Sequence, residues 1–149
     1  MIVCLDTNTV VQALAQGHPH HPILDAWVAG RITWAVSTEV MLEYEEVLTR
    51  MSGPARWRKL ARLMDLVELT GGNLLRVTPA FHFNIIITDP DDNIFTDCAV
   101  TAGADFMVTD DQHFAALRGS GYKPQSITPQ EFVKKFVAGA PSVPVKWKK

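Results

Sequence analysis

The amino-acid sequence predicts an α/β fold built on a parallel sheet, and three observations carry that expectation. Short β-rich runs at Ile2–Leu5, Ile32–Val36, Leu74–Val77, Phe106–Thr109 and Gln125–Ile127 alternate with longer segments of helical period. The chain has 149 residues, 47% hydrophobic and 20% charged, which suits one domain around a single core. Acidic residues stand at separated points, each at the end of an apolar run or on a helix face: Asp6, Glu43, the Asp89 to Asp97 run, and Asp110-Asp111. In an open parallel sheet the carboxyl ends of the strands line one crevice, so acids leaving those ends can meet although far apart in sequence.

The elements follow in order. After the first run, Asp6-Thr7-Asn8 leads into a helix whose apolar residues include Val10, Val11 and Leu14. Gly17-His18-Pro19-His20-His21-Pro22 has the Pro and Gly content of an exposed connection before a helix at Ile23–Ala29. Glu39–Met51 sets Val40, Tyr44, Val47 and Met51 on one stripe beside a polar face of Glu39, Glu43, Glu46 and Arg50, with Ser37 or Thr38 as N-cap. Pro54–Leu69 is a second long helix, apolar at Leu60, Leu63, Met64 and Val67 and ended by Gly71-Gly72.

Phe81–Thr88 is apolar and extended in character but lacks clean alternation. Asp89-Pro90-Asp91-Asp92 then starts a helix at Asn93–Ala102, with Gly103 as its C-cap. A short helix is expected at Gln112–Leu117. Thr128-Pro129-Gln130-Glu131 combines an N-cap Thr, a Pro at the first helical position and a Glu two positions later, which starts a helix over Gln130–Val137. The tail, 139–149, carries two prolines and three lysines around Trp147 and is expected to be a flexible basic extension of a domain spanning 1–138.

Composition limits the function. No apolar stretch approaches the roughly 20 residues that span a bilayer, and Met1 leads directly into a strand-like run, so a cytoplasmic location without membrane association is expected. Cys4 and Cys98 are the only cysteines, lie in apolar contexts without Cys-x-x-Cys spacing, and are expected to be reduced core residues. A net charge of −2 gives no global attraction to nucleic acid, so a polyanionic substrate would be held by local Lys/Arg patches and bound metal.

Each acid has a structural role to weigh against a chemical one. Asp6 at a strand end can cap the next helix, yet Thr7 and Asn8 beside it are small polar groups able to fix its rotamer. A mid-helix Glu is ordinarily solvated, but Glu43 lies next to the apolar stripe, whereas Glu39, Glu45 and Glu46 suit the solvated role better. The Asp89–Asp97 run holds more acids than a capping turn needs, and Asn93 and Asp97, four apart on a helix, share one face. Asp110 or Asp111 can cap the helix that follows.

Two carboxylates about 5 Å apart at an effective dielectric near 20 repel by roughly 3 kcal/mol, so a meeting of all these acids calls for protonation or a divalent cation. Oxygen donors without clustered Cys or His point to Mg²⁺ or Mn²⁺ ahead of Zn²⁺. Such an ion serves phosphodiester hydrolysis by activating water and stabilising charge on the phosphate. The histidines between Gly17 and Pro22 have no matching ligand set elsewhere. His113, next to the acidic pair, is expected on a helix surface, with a substrate contact as the alternative.

The segments Val3-Cys-Leu-Asp-Thr-Asn8, Ser37-x-Glu-x-x-x-Glu43-Tyr-x-x-Val-Leu48, Asp89-Pro-Asp-Asp-Asn-x-Phe-x-Asp97, Gly103-Ala-Asp-x-x-Val-Thr-x-Asp111 and Ile127-Thr-Pro-x-Glu-Phe132 occur in one order over nearly the whole chain. In these the chain resembles the PIN-domain family, in particular its VapC-like ribonucleases, the toxin components of toxin–antitoxin pairs. The resemblance implies a three-layer sandwich with a parallel sheet of five strands between helices. It also implies cleavage of single-stranded RNA with Mg²⁺ or Mn²⁺, held by Asp6, Glu43, Asp97 and Asp111 as catalytic and metal-binding acids. Asn8, Asn93 and Thr109 would orient these groups. Many family members have Asp where this chain has Asn93, which leaves Asp92 or Asp97 as the third acid, Asp97 being favoured by its place one turn from Asn93. A cognate antitoxin and a homodimer are further implications.

Two other functions are open on the sequence. A catalytically inactive PIN-like module would bind RNA or protein. An aspartate-nucleophile phosphatase of the haloacid dehalogenase type also has an Asp after its first strand, but it needs a second acid two residues on, where this chain has Asn8, which cannot exchange the proton.

Overall fold

In the computed structural model, which describes residues 1–138, five strands form one all-parallel sheet in the order β3-β2-β1-β4-β5. They are β1 Ile2–Leu5, β2 Thr33–Val36, β3 Leu74–Arg76, β4 Phe106–Val108 and β5 Gln125–Ile127. The α-helices are α1 Thr7–Leu14, α2 His21–Val28, α3 Thr38–Ser52, α4 Pro54–Thr70 and α5 Asn93–Ala102 between the strands, and α6 Pro129–Phe132 after β5. The expected α/β architecture is therefore the observed one, a parallel sheet flanked by helices. The tail at 139–149 lies outside the described residues.

The register sets where the functional residues emerge. β1 pairs with β4 through Val3↔Phe106, Cys4↔Met107 and Leu5↔Val108. The strands run the same way, so Asp6 and Thr109 leave adjacent strands side by side at the carboxyl edge of the sheet. Hydrogen bonding continues there, with Asp6 N–H donating to the Val108 carbonyl at 3.3 Å and Thr109 N–H to Ile127 at 2.9 Å.

Both faces of β1 are covered, which explains its unbroken apolar sequence: Val3, Cys4 and Leu5 are all buried. Cys4 and Cys98 are free and buried, with their sulfurs 3.7 Å apart. An aromatic series ties the helices to the sheet, running Trp27–Trp34, Trp34–Tyr44, Tyr44–Phe95 and Phe95–Phe114 at centroid separations of 5.0, 5.7, 6.2 and 6.3 Å. These lie within the range where tilted and edge-to-face pairs attract. Tyr44 also donates its buried hydroxyl to the Leu5 carbonyl, which fixes the middle of α3 against the end of β1.

Local signals act as their chemistry requires. Ser37 caps α3 by accepting Val40 N–H at 3.2 Å, and Thr128 caps α6 by accepting Glu131 N–H at 3.1 Å. Gly103 ends α5 in the left-handed region, at φ 63°. Two short segments differ from the expected α-helix. Gln112–Leu117 is a 3₁₀ helix, and Val133–Val137 continues α6 as a π-helical turn closed by Ala138 N–H on the Val133 carbonyl. In that wider turn Phe132 and Phe136 both meet Phe106, at centroid distances of 6.3 and 5.2 Å. Among the described residues, no helix is long and apolar enough to cross a membrane.

Candidate functional site

Asp6 is the fixed point of the site. It caps α1, its Oδ1 accepting the Thr9 N–H at 2.8 Å, while Oδ2 accepts the Thr109 hydroxyl. Thr9 turns its own hydroxyl to the Val108 carbonyl at 3.1 Å, so the first turn of α1 is tied to β4. The Thr109 oxygen in turn accepts the Asp111 N–H at 2.9 Å. One hydroxyl thus joins the acid after β1 to the segment carrying the acid after β4. Asp6 is only 7% exposed, and this burial raises its carboxyl above the ordinary range against the lowering pull of the threonine hydrogen bonds, with the charge of Asp111 adding to the rise.

A cleft of about 460 Å³ opens over this corner, with Asp6, Asn8, Gln12, Met51, Asp110 and Asp111 in its walls. Asn8 is exposed, one position into α1 from Thr7, and presents an amide to the cleft. A second cleft of about 370 Å³ lies over the ends of β2 and β3, near Ser37, Trp57 and Arg76, and lacks a comparable group of acids.

The other acids divide into two sets. Asp111 caps the 3₁₀ helix by accepting His113 N–H at 2.9 Å, and the imidazole turns back toward that acid. Its Nδ1 lies 3.4 Å from Asp111 Oδ1, 3.3 Å from Asp92 Oδ2 and 3.7 Å from Asp89 Oδ2. Burial leads a rise in the Asp92 carboxyl above its usual range, the charges of Asp89 and Asp111 adding to it and His113 opposing it. Asp89, Asp92, Asp111 and His113 therefore form one electrostatic group.

Asp97 belongs to the second set. It is 4% exposed and directs both carboxylate oxygens at the segment before α5, accepting Phe83 N–H at 2.9 Å on Oδ1 and facing His82 Nδ1 at 3.2 Å with Oδ2. Asn93 does similar work one turn earlier. Its Oδ1 accepts Ile86 N–H at 2.9 Å and its Nδ2 donates to the Ile86 carbonyl at 2.8 Å. The extended run Phe81–Thr88 forms no strand; these two side chains supply the partners that a sheet would have given its backbone. Glu43 is half-buried on α3, next to the anchored Tyr44, and makes no hydrogen bond or ion pair among the described residues.

His113 and Asp89, which the sequence reading did not place among the site residues, join this group in the structure. The signal was the spacing Asp111-x-His113 at a capped turn, which returns the second side chain toward the first. The donors fit a divalent cation by their chemistry: carboxylates from separate segments converge on one region, and burial makes their mutual repulsion costly without a counter-charge.

Residues 2–113 match the family model described as PIN domain, and the chain belongs to that family. Among solved structures, it is similar to VapBC2 from Rickettsia felis bound to a DNA fragment from its promoter. That likeness has 16% identity and a TM-score of 0.57, covering 85% of this chain and 99% of the other. It is also similar to FitAB bound to an IR36 DNA fragment, with 19% identity and a TM-score of 0.54 over 87% of this chain and 96% of that one. At these identities the likeness is one of fold. No curated protein matches the sequence.

Proposed function

We propose that this chain is a divalent-metal-dependent ribonuclease that hydrolyses phosphodiester bonds of single-stranded RNA, acting as the toxin of a toxin–antitoxin pair. The observation that carries the reading is the buried Asp6 carboxylate, held by Thr9 and Thr109 at the edge of a cleft that also contains Asn8 and Asp111. Mg²⁺ or Mn²⁺ bound there would supply activation of water and neutralisation of charge on the phosphate.

The chain's own residues divide the remaining work. Asp6, Asp111 and Glu43 serve as metal-binding acids, and the hydrogen bonding favours Asp92 over Asp97 as the third acid, since Asp92 stands beside Asp111 and His113 while Asp97 is committed to the backbone at Phe83. Thr109 holds two of these segments in register. Asn8, exposed on the cleft wall, orients water or a phosphate oxygen. Asn93 and Asp97 hold the segment that delivers Asp89 and Asp92.

The partners follow from the family branch. The VapC-like resemblance implies a protein antitoxin, and fold likeness to the VapBC2 and FitAB structures supports that assignment. A homodimer, a cytoplasmic location and a single domain over 1–138 complete the proposal. Labelled single-stranded and structured RNAs incubated with Mn²⁺, Mg²⁺ or EDTA test it, with Asp6→Asn/Asp111→Asn as the control. Cleavage that needs the ion and disappears in the variant is expected. Absence of both cleavage and metal-dependent stabilisation would favour a binding module instead.

A further inference from the structure

We propose that His113 is a metal ligand and that, with Asp89 and Asp92, it makes the acidic crevice a site for a first-row transition-metal ion in preference to Mg²⁺. The proposal rests on the reading that the crevice takes a divalent cation, but not on RNA cleavage. A ring nitrogen has one lone pair or one N–H, so it can satisfy one neighbour along its axis. Here Nδ1 faces three carboxylate oxygens at 3.3, 3.4 and 3.7 Å, contributed by Asp92, Asp111 and Asp89. All three distances are long for a charge-assisted hydrogen bond, which runs at about 2.7–2.9 Å.

The arrangement resembles donors around a common centre. Ligands at right angles about an ion, each roughly 2.1 Å from it, stand about 3.0 Å apart, so the Asp92 and Asp111 oxygens need approach the ring by only a few tenths of an ångström, whereas Asp89 must move further to join them. Ligand atoms of Asp89, Asp92 and His113 all lie within 4.8 Å of one another. They come from two pieces of chain: Asp89 and Asp92 from the 3₁₀ turn that leads into α5, and His113 from the 3₁₀ helix after β4. The cap on that helix places the His113 backbone beside Asp111, whose Oδ1 receives its N–H.

The nitrogen changes the choice of ion. A purely carboxylate crevice suits Mg²⁺ and Mn²⁺ alike, whereas imidazole adds affinity for transition ions and little for Mg²⁺. The expectation drawn from oxygen donors alone is thereby narrowed.

Pulsed electron paramagnetic resonance of the Mn²⁺-loaded full chain reads the ligand directly, through coupling of the electron spin to an imidazole nitrogen. That coupling is expected in the wild type and absent in His113→Gln. Thermal-stability titrations of both proteins should show Mn²⁺ affinity falling by about tenfold or more in the variant, with Mg²⁺ affinity changing by less than about twofold. Mn²⁺ binding without nitrogen coupling would overturn the proposal and leave the cation reading intact. Coupling that survives in His113→Gln would assign the nitrogen to another histidine and also overturn it. If neither ion binds the wild type, the proposal and the cation reading fall together.

Discussion

The Thr109 hydroxyl donates to the buried carboxylate of Asp6, although 103 positions separate the two residues. The same oxygen accepts Asp111 N–H, so a single side chain fixes the relation between two acids of the proposed centre. Thr109→Val keeps the shape and removes both interactions. The variant is expected to lose about 1–3 kcal/mol of stability and about 10–100-fold in metal affinity. Thr109→Ser should recover most of both. Urea denaturation and Mn²⁺ titration of the three proteins make the comparison.

The buried Asp6 also predicts how the metal-free protein responds to pH. Its folded-state carboxyl is raised above the ordinary value of 3.8, chiefly by burial. The corresponding stability is fully present below about pH 3.8 and is lost as pH rises through the raised value. Asp6→Asn should therefore flatten the stability profile above pH 3.8 and make the metal-free protein more stable than wild type near neutrality. Mn²⁺ should stabilise the wild type and not the variant. Denaturant melts from pH 4 to 8, with and without Mn²⁺, would expose an error in either sign.

The sheet was legible because its signals are local. β1 is a continuous apolar run ended by Asp6, and Ser37, Gly103 and Thr128 mark helix ends by chemistry that acts within a few residues. The meeting of Asp6 with Asp111 also follows from strands sharing a carboxyl edge. The partners of Asp97, Asn93 and His113 were not legible. Helical spacing puts Asn93 and Asp97 on one face, but whether that face meets a cleft or another backbone depends on where Phe81–Thr88 crosses it. His113 reads as a surface residue until the turn capped by Asp111 brings its ring toward Asp92.

That division yields a test of the third acid. Asp92→Asn removes a charge from the group around His113 and is expected to weaken Mn²⁺ binding by about tenfold or more. Asp97→Asn leaves an oxygen for the Phe83 N–H and should preserve Mn²⁺ affinity within about twofold, its effect appearing as reduced protection of the segment near residues 82 and 83 in hydrogen exchange. If Asp97→Asn instead abolishes metal binding, Asp97 is the third acid.

Asp105, at the opposite end of β4, predicts a separate acid response. Its carboxylate accepts the Ile2 N–H at 2.9 Å and lies 3.3 Å from Lys123 Nζ. Led by the Ile2 hydrogen bond, these interactions hold its carboxyl below the ordinary value of 3.8. The stability it contributes is present above that value and is lost as pH falls through the lowered one. Asp105→Asn should reduce stability at neutral pH and make the decline below about pH 4 shallower, as measured by fluorescence-monitored unfolding.

Asn93 offers the sharpest contrast between an amide and an acid at one position. Its side chain gives Ile86 both an acceptor and a donor, and Ile86 is 2% exposed, so neither backbone group has ready access to water. Asn93→Ala leaves both without their observed partner and is expected to cost about 2–4 kcal/mol. Asn93→Asp keeps the acceptor for the N–H but sets a negative oxygen against the Ile86 carbonyl. It should destabilise the protein at neutral pH and recover on acidification, because the protonated carboxyl regains a donor. Amide exchange at Ile86 should report this locally, slow in the wild type and fast in Asn93→Asp at pH 7. A fully protected Ile86 amide in that variant would mean that the retained acceptor and the apolar contacts hold the segment without the Asn93 donor.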